Sequence, residues 1–444
     1  MNNIIDFGAV NDGVTISTSA IQKAVDKCRD ENGGVVYIPF GSYVVTSVHL
    51  CDNVHFVFEP GAQLLGSLNP DDFDAREKPE YPLYQDASHS YFRRSMFWAE
   101  NCKNISFTGA GVINMRSVWE NTPVEGEVAW SEKRANKIFA LKNCKDIVIS
   151  DLSLQKSTDL AVYLAGCERV RITGLMMDVH IDAISPDCCK DVVISDCVIR
   201  CGDDGIVLKS SYTLNEKKLC ENIVVSNCTI TSRCSAIKLG TESNGEFKNI
   251  AITNCAIYET SLGGLSFEIT DGGEIDGITA SNIVMKNVGY PLFIILSDRG
   301  RGPEGTKLGT VKNIIVNNLT ANGPYVPWIA PQLTTLYEGE KPFDRKVTPS
   351  TVTGQPDRKI ENITLSNIFI TVPGGGTEED KKAILPEITH DYPENYQFGK
   401  SFPAYGIYFR HVKNLTMTNV HVETLDEDKR NAFVFDDVEN LKIQ

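Results

Sequence analysis

The sequence predicts an all-β fold: a single-stranded right-handed parallel β-helix, or solenoid, that takes up residues 1–444 as one domain, with an N-terminal capping helix and long cleft loops. Three observations carry this prediction. A short phrase recurs along the chain, two of its intervals match the length of a solenoid coil, and within each copy apolar and polar residues alternate with period 2.

The phrase reads CKNISFTGAGVI from Cys102, CKDIVISDLSLQ from Cys144, CERVRITGLMMD from Cys167, CKDVVISDCVIR from Cys189 and CENIVVSNCTIT from Cys220. It continues as FKNIAITNCAIY from Phe247, VKNIIVNNLTAN from Val311, IENITLSNIFIT from Ile360 and VKNLTMTNVHVE from Val412, and VENLKIQ ends the chain. Cys144, Cys167 and Cys189 are 23 and 22 residues apart, and the longer intervals contain loops. The β-branched runs, such as Val-Val-Ile-Ser and Ile-Thr-Leu-Ser, are too short for helices. A leucine-rich repeat is the competing solenoid, but its Leu-x-x-Leu-x-Leu phrase is absent and each coil offers several strand-like runs punctuated by Asn, Gly or Asp.

A solenoid has open apolar ends. Ser19-Ala-Ile-Gln22 reads as a capping box that opens a short helix with Ile21, Ala24, Val25 and Cys28 on one face, suited to plug the N-terminal end. Three segments break the repeat, roughly 68–96, 323–358 and 372–404, all rich in Pro, Tyr, Asp and Glu. Insertions on a solenoid gather on one face, so these are expected to wall a cleft.

Composition narrows the function. The 43 Lys and Arg against 58 Asp and Glu leave a net charge of −15, which argues against nucleic acid or an anionic membrane surface as partner. Most of the 13 cysteines recur at one point of the repeat and read as reduced, small apolar core residues. The opening MNNIIDFGAVNDG has no basic region followed by an apolar one, and no stretch approaches the ~20 apolar residues of a membrane span. A cytoplasmic location is the expectation, or a secreted one if a signal has been removed. No oligomeric state is assigned.

Asp182, in HIDAISPD, lies 21 residues before Asp203 in CGDDGIVLKS, about one coil. Equivalent positions on neighbouring coils sit ~4.8 Å apart, so Asp182, Asp203 and Asp204 are expected to converge. Carboxylates that close repel one another and raise at least one pKa, which keeps one acid protonated beside ionised bases. The same residues also suit a solvated Asp-Asp-Gly turn or a Ca²⁺ site, and spacing alone does not choose.

The order of HIDAISPDCCKDVVISDCVIRCGDDGIVLKSS resembles the family 28 glycoside hydrolases, the polygalacturonase and rhamnogalacturonan hydrolase family. Their pattern is Asn-x-Asp-Gly-x-Asp followed one coil later by Gly-Asp-Asp-x-Ile-x-x-Lys-Ser. DFGAVNDGVT, GGVVYIPFGSYVV, EPGAQLLGS and FPAYGIYFRHVKNLTMTNV extend the resemblance over nearly the whole chain. It implies a right-handed β-helix that cleaves glycosidic bonds with inversion. Asp203 would protonate the leaving oxygen while Asp182 and Asp204 hold and deprotonate the attacking water, with acid and base ~6.5–9.5 Å apart.

Two departures bear on substrate. The family's Gly-His-Gly falls on Cys234-Ser235-Ala236, and its uronate-gripping Arg-x-Lys falls on Ser266-Phe267-Glu268. His180 and Ser185 replace the first Asn and second Asp of the earlier motif, with Asp187 beyond it. Glu242 and Glu268 extend the acidic ladder as hydroxyl acceptors or as a solvated edge. Lys209 matches the family's Lys-Ser lysine, for which ion pairing is favoured. Arg299 and Arg301 supply a replacement anion site or stand as surface arginines. Trp119 and the tyrosines of YPLYQ and DYPENY either stack on sugar or pack loops.

Asp203, Asp182 and Asp204 are therefore the candidate catalytic residues, with His180, Lys209, Glu242, Glu268, Arg299 and Arg301 as candidate substrate-binding residues; no metal or cofactor is assigned. The expected activity is an inverting, exo-acting glycosidase on pectin-derived (galacturonan or rhamnogalacturonan) or related plant oligosaccharides. The alternatives are a β-helix polysaccharide lyase and a non-catalytic carbohydrate-binding or tail-spike-like protein.

Overall fold

The computed structural model describes residues 1–77, 79–116, 136–323, 348–390, 392–399 and 401–444. They form two compact units, one of residues 1–203 and 213–216, the other of residues 204–212, 217–323 and 348–444. Both are built of parallel strands stacked in register, the right-handed β-helix that the repeat predicts.

In the first unit, three sheets turn their apolar columns onto one core. Phe139, Val162 and Ile184 stack in the first sheet, and Ile105, Ile147, Val170 and Val192 in the second. Leu64, Ile113, Leu154, Met177 and Ile199 form the third column, and all of these side chains are buried. The repeated phrase has a backbone reason as well. Asn104, Asp146, Arg169 and Asp191, each two residues after the phrase's cysteine, bend the chain at φ 55–58°. Asn and Asp enter that left-handed region more readily than other non-glycine residues, and Arg169 is the exception. Cys167 and Cys189 point their thiols at the carbonyls of Leu141 and Leu164 one coil earlier, at 3.4 and 3.3 Å. All 13 cysteines are free thiols, as their place in the repeat predicts.

The helix Thr18–Asp30 buries Ala20, Ile21, Ala24, Val25 and Cys28 over the first strands. Its start differs from the expected capping box. Ser17 precedes the helix, and its hydroxyl bonds the N–H of Val10 rather than a helical N–H. Gln22 reaches forward to Asp26 and exchanges hydrogen bonds with the backbone of His49, so it ties the helix to the strand Val48–His49. Tertiary partners for Gln22 replaced the local cap.

In the second unit the strands lengthen, and Ile250, Ile278, Ile314, Ile363 and Leu415 form one continuous buried column. A ladder of side-chain amides joins Asn254, Asn282, Asn318, Asn367 and Asn419 at 2.9–3.1 Å.

One set of strands in each unit is buried on both faces. Val162–Ala165 and Ile184–Asp187 are fully buried, whereas Lys190–Ser195 alternates with solvent. The covering comes from the inserted segments. Phe92 stacks on Tyr163 at 5.2 Å, and the Tyr81 hydroxyl donates to the Thr213 carbonyl at 2.6 Å. In the second unit Leu385, Ile388, Phe398 and Phe402 pack on Leu262, Tyr290, Phe293 and Ile295. Segments 68–96 and 372–404 thus wall their sheets. Trp119 and residues 324–347 of the 323–358 insertion lie outside the described residues. Among the described residues no helix is long and apolar enough to cross a membrane.

Phe107 sits at the centre of the N-terminal core, stacked on Phe56 at 4.6 Å and edge-on to Phe97 and Phe139. Phe107→Ala is expected to lower stability by about 3–5 kcal/mol, read as a fall in the urea midpoint with the slope little changed.

Candidate active site

Asp182 stands two residues before Ile184, and Asp204 two residues before Ile206, each Ile being an inward-facing residue of a buried strand. The two carboxylates therefore occupy equivalent places on their coils. Asp182 is fixed by its carbonyl, which accepts the Ala161 N–H at 2.9 Å, and Gly202 ahead of Asp203 donates to the Val179 carbonyl at 3.1 Å. A Cβ at Gly202 would lie 2.2 Å from the carbonyl oxygen of His180, so only glycine allows the coils to close there.

One carboxylate oxygen from each of Asp182, Asp203 and Asp204 lies within 4.8 Å of the others. The expected convergence is present. Asp182 and Asp204 are 5% and 6% exposed, while Asp203 is half-buried. Among the described residues, this is the group whose donor atoms come close enough to hold a cation.

Asp204 is held on both oxygens. Oδ1 accepts the Ser235 N–H at 2.9 Å, and Oδ2 lies 3.4 Å from Lys238 Nζ. Lys238, 2% exposed, also approaches Glu268 at 3.6 Å and Glu394 at 4.0 Å, under the ring of Tyr392. Burial acts to lower its pKa, but Asp204, Glu268, Tyr392 and Glu394 outweigh that and hold it well above the usual value.

Glu268 is fully buried. Its Oε2 accepts from the Thr241 hydroxyl at 3.0 Å, and its Oε1 has no hydrogen-bond partner among the described residues. Burial pushes its carboxyl up to about 8, against the pull of Lys238 and with Glu394 and Asp204 adding to the rise. Ser235 and Ser266, at the family's His and Arg positions, are buried with their hydroxyls 3.2 Å apart.

The other sequence-selected residues fall into two groups. Lys209 pairs with Glu242 at 3.0 Å, and Arg299 Nη2 lies 3.5 Å from the other Glu242 oxygen. Arg299 also grips Asp271 through Nε and Nη2 at 3.0 and 2.6 Å, and its side chain is 3% exposed. Burial opposes its charge, but Asp271 and Glu242 more than compensate. His180 is half-buried, with Nδ1 unpartnered among the described residues. Burial and Lys156 push its ring down to about 4, which leaves it neutral at ordinary pH. Arg301 accepts the Asn244 side-chain N–H at its carbonyl at 2.7 Å.

Lys238, Glu394 and Asp271 escaped the sequence reading, and Tyr392, taken there as a sugar-stacking or loop-packing tyrosine, meets Lys238 instead. Lys238 had a signal, a lone cation between inward-facing Ile237 and Leu239 in a strand. Glu394 and Tyr392 come from an insertion, and nothing local in the sequence directs them to the Lys238 ammonium.

The profile of Glycosyl hydrolases family 28 matches residues 81–324, more than half of the chain. The chain belongs to this family. A second profile, Rhamnogalacturonase A/epimerase, pectate lyase-like, matches residues 1–69. Among curated proteins the chain is similar to a probable polygalacturonase of Vitis vinifera, 25% identical over 315 residues. That match takes in 66% of this chain and 62% of the relative, so the chain spans less than two thirds of the relative's length. It is also similar to an exo-poly-alpha-D-galacturonosidase of Dickeya chrysanthemi, 21% identical over 82% of this chain and 71% of that protein. Two solved folds are close. The family 28 exopolygalacturonase of Yersinia enterocolitica superposes with a TM-score of 0.71 at 16% identity, covering 99% of this chain and 77% of that one. The exopolygalacturonase of Thermotoga maritima gives 0.68 at 17%, covering 94% and 91%.

Glu268 has a consequence for stability. With its pKa raised from 4.5 to about 8, the folded protein keeps a proton that the unfolded chain releases between those values. Its contribution to stability therefore falls as pH rises through that window and is level above it. Glu268→Gln, neutral throughout, is expected to gain thermal stability relative to the parent between pH 5 and 8. Parallel melting curves for the two proteins across that range would contradict the assignment.

Proposed function

We propose that this family 28 chain is an exo-acting, inverting glycosidase that hydrolyses pectin-derived (galacturonan or rhamnogalacturonan) or related plant oligosaccharides. The observation that carries the reading is the meeting of Asp182, Asp203 and Asp204 within 4.8 Å, in the order of the family pattern. Asp203, the most exposed of the three, gives its proton to the glycosidic oxygen as the bond to the anomeric carbon breaks. Asp182 and Asp204 hold the water whose oxygen bonds that carbon, and one of them takes its proton. Two oxygens that share a water through ordinary hydrogen bonds of ~2.8 Å are at most ~5.6 Å apart, so the spacing suits a shared water.

Exo action is supported by the names of the Dickeya, Yersinia and Thermotoga relatives and by the inserted walls. His180, neutral at ordinary pH, is in this reading a candidate for meeting a sugar hydroxyl. In this reading Glu242, Glu268, Arg299, Arg301 and Lys209 shape the surrounding shell.

Proton NMR of the first anomer released is expected to show inversion.

Pectic, rhamnogalacturonan and neutral oligosaccharides, followed by product chromatography, are expected to reveal hydrolysis from a chain end. Asp203→Asn is expected to lower kcat by about 100-fold or more. Full activity in that variant would remove Asp203 from the acid role. Products should lack the ultraviolet absorbance of an unsaturated uronate, and activity should survive a chelator; loss in chelator would point to the lyase instead.

A further inference from the structure

In the resembled family pattern, cationic residues at the positions of Ser266 and Glu268 face the substrate. This chain has no cation at either position, but Lys238, one coil earlier, sends an ammonium to the same place: Nζ is 3.6 Å from Glu268 Oε2. That ammonium is 2% exposed and turned onto Asp204, whose other oxygen is fixed by the Ser235 N–H at 2.9 Å. Ser235 stands where the pattern has its histidine. We propose that Lys238 is a positioning residue of the hydrolysis, its ammonium anchoring Asp204 as an oriented carboxylate while Glu268 shares the same cation. The proposal rests on the glycosidase reading for its kinetic consequence, though not for its electrostatic one.

The surroundings leave the ammonium few other roles. Among the described residues four groups face it: Asp204 from just before the strand Ile206–Ser210, Glu268 from a buried strand, and Glu394 and Tyr392 from the covering insertion. Tyr290 donates to Glu394 at 2.8 Å, and Tyr392 reaches Thr241 at 2.9 Å, so the insertion side is itself tied down. A buried cation enclosed in this way does not extend to a substrate carboxylate. It fixes one oxygen of Asp204 from the side opposite the Ser235 N–H, with Glu268 and Glu394 close by. Glu268 holds its proton at neutral pH, so the ammonium is not yet divided between two full carboxylates. As a base, Asp204 must be ionised for turnover, so the position of the acid limb of kcat/KM reports how firmly Lys238 holds it.

The experiment compares the parent with K238M, K238R and the double variant K238M/E268M. The double variant also removes the buried Glu268 carboxyl that Lys238 faces, so that one fewer polar group is left without its partner if the single change does not fold. Two readouts are taken: the pH profile of kcat/KM, and the Asp204 carboxyl midpoint from carbon-13 NMR, assigned with D204N. In K238M, or the double variant, both the acid limb and the midpoint should move up by about one pH unit or more. At the parent's optimum kcat should fall about tenfold or more with KM changed far less, and K238R should bring both readouts back toward the parent. A folded K238M whose midpoint and limb stay in place, or a K238R that restores neither, would overturn the proposal. If the parent turns over no oligosaccharide, the glycosidase reading fails, and the NMR midpoint still decides whether Lys238 anchors Asp204.

Discussion

Backbone pairing between successive coils, strand beside parallel strand without a slip through most of each stack, is the constraint from which the remaining features follow. A one-residue slip would turn every Val and Ile of a column out of the core. Because the register holds, residues one coil apart in sequence arrive at one place in space. That is how Asp182 comes to the level of Asp203 in the first unit, and why Gly202 must be a glycine against the His180 carbonyl. The same stacking brings carboxylates one coil apart in sequence together, so their meeting is a property of the scaffold before it is a property of the chemistry.

The second consequence is electrostatic. In the second unit Asp204, Glu268, Glu394, Glu242 and Asp271 share Lys238, Lys209 and Arg299, all at low exposure. Buried ions are tolerated only when they are paired, and here the acids outnumber the bases. The imbalance is relieved in part by Glu268, which retains a proton in the neutral range. The cations face inward onto carboxylates. Where the resembled family pattern sets cations toward the substrate, Lys238, Lys209 and Arg299 here pair with carboxylates of the chain itself.

The sequence carried the repeat, the inward columns, the buried cysteines and the acidic trio, because each is a matter of spacing along a regular scaffold. It misled on the helix start, where Ser19 and Gln22 matched a local cap but Gln22 found the His49 backbone instead. It favoured ion pairing for Lys209 without naming the partner, and it left Arg299 open between an anion site and the surface. The structure gives both to Glu242, with Arg299 bound to Asp271 as well, partners 28 to 57 residues distant that no local pattern announces.

The sequence by itself determined the coil, its register and the identity of the three converging carboxylates, since period-2 patterning and a repeat of about one coil leave little freedom in a parallel stack. Only the tertiary structure decided which charges neighbour them. Glu394 and Tyr392 arrive on an insertion whose path depends on the apolar packing of Leu385, Ile388, Phe398 and Phe402. Electrostatic influence acts through space, and the chain distance between Lys238 and Glu394 holds no trace of the 4.0 Å that separates them.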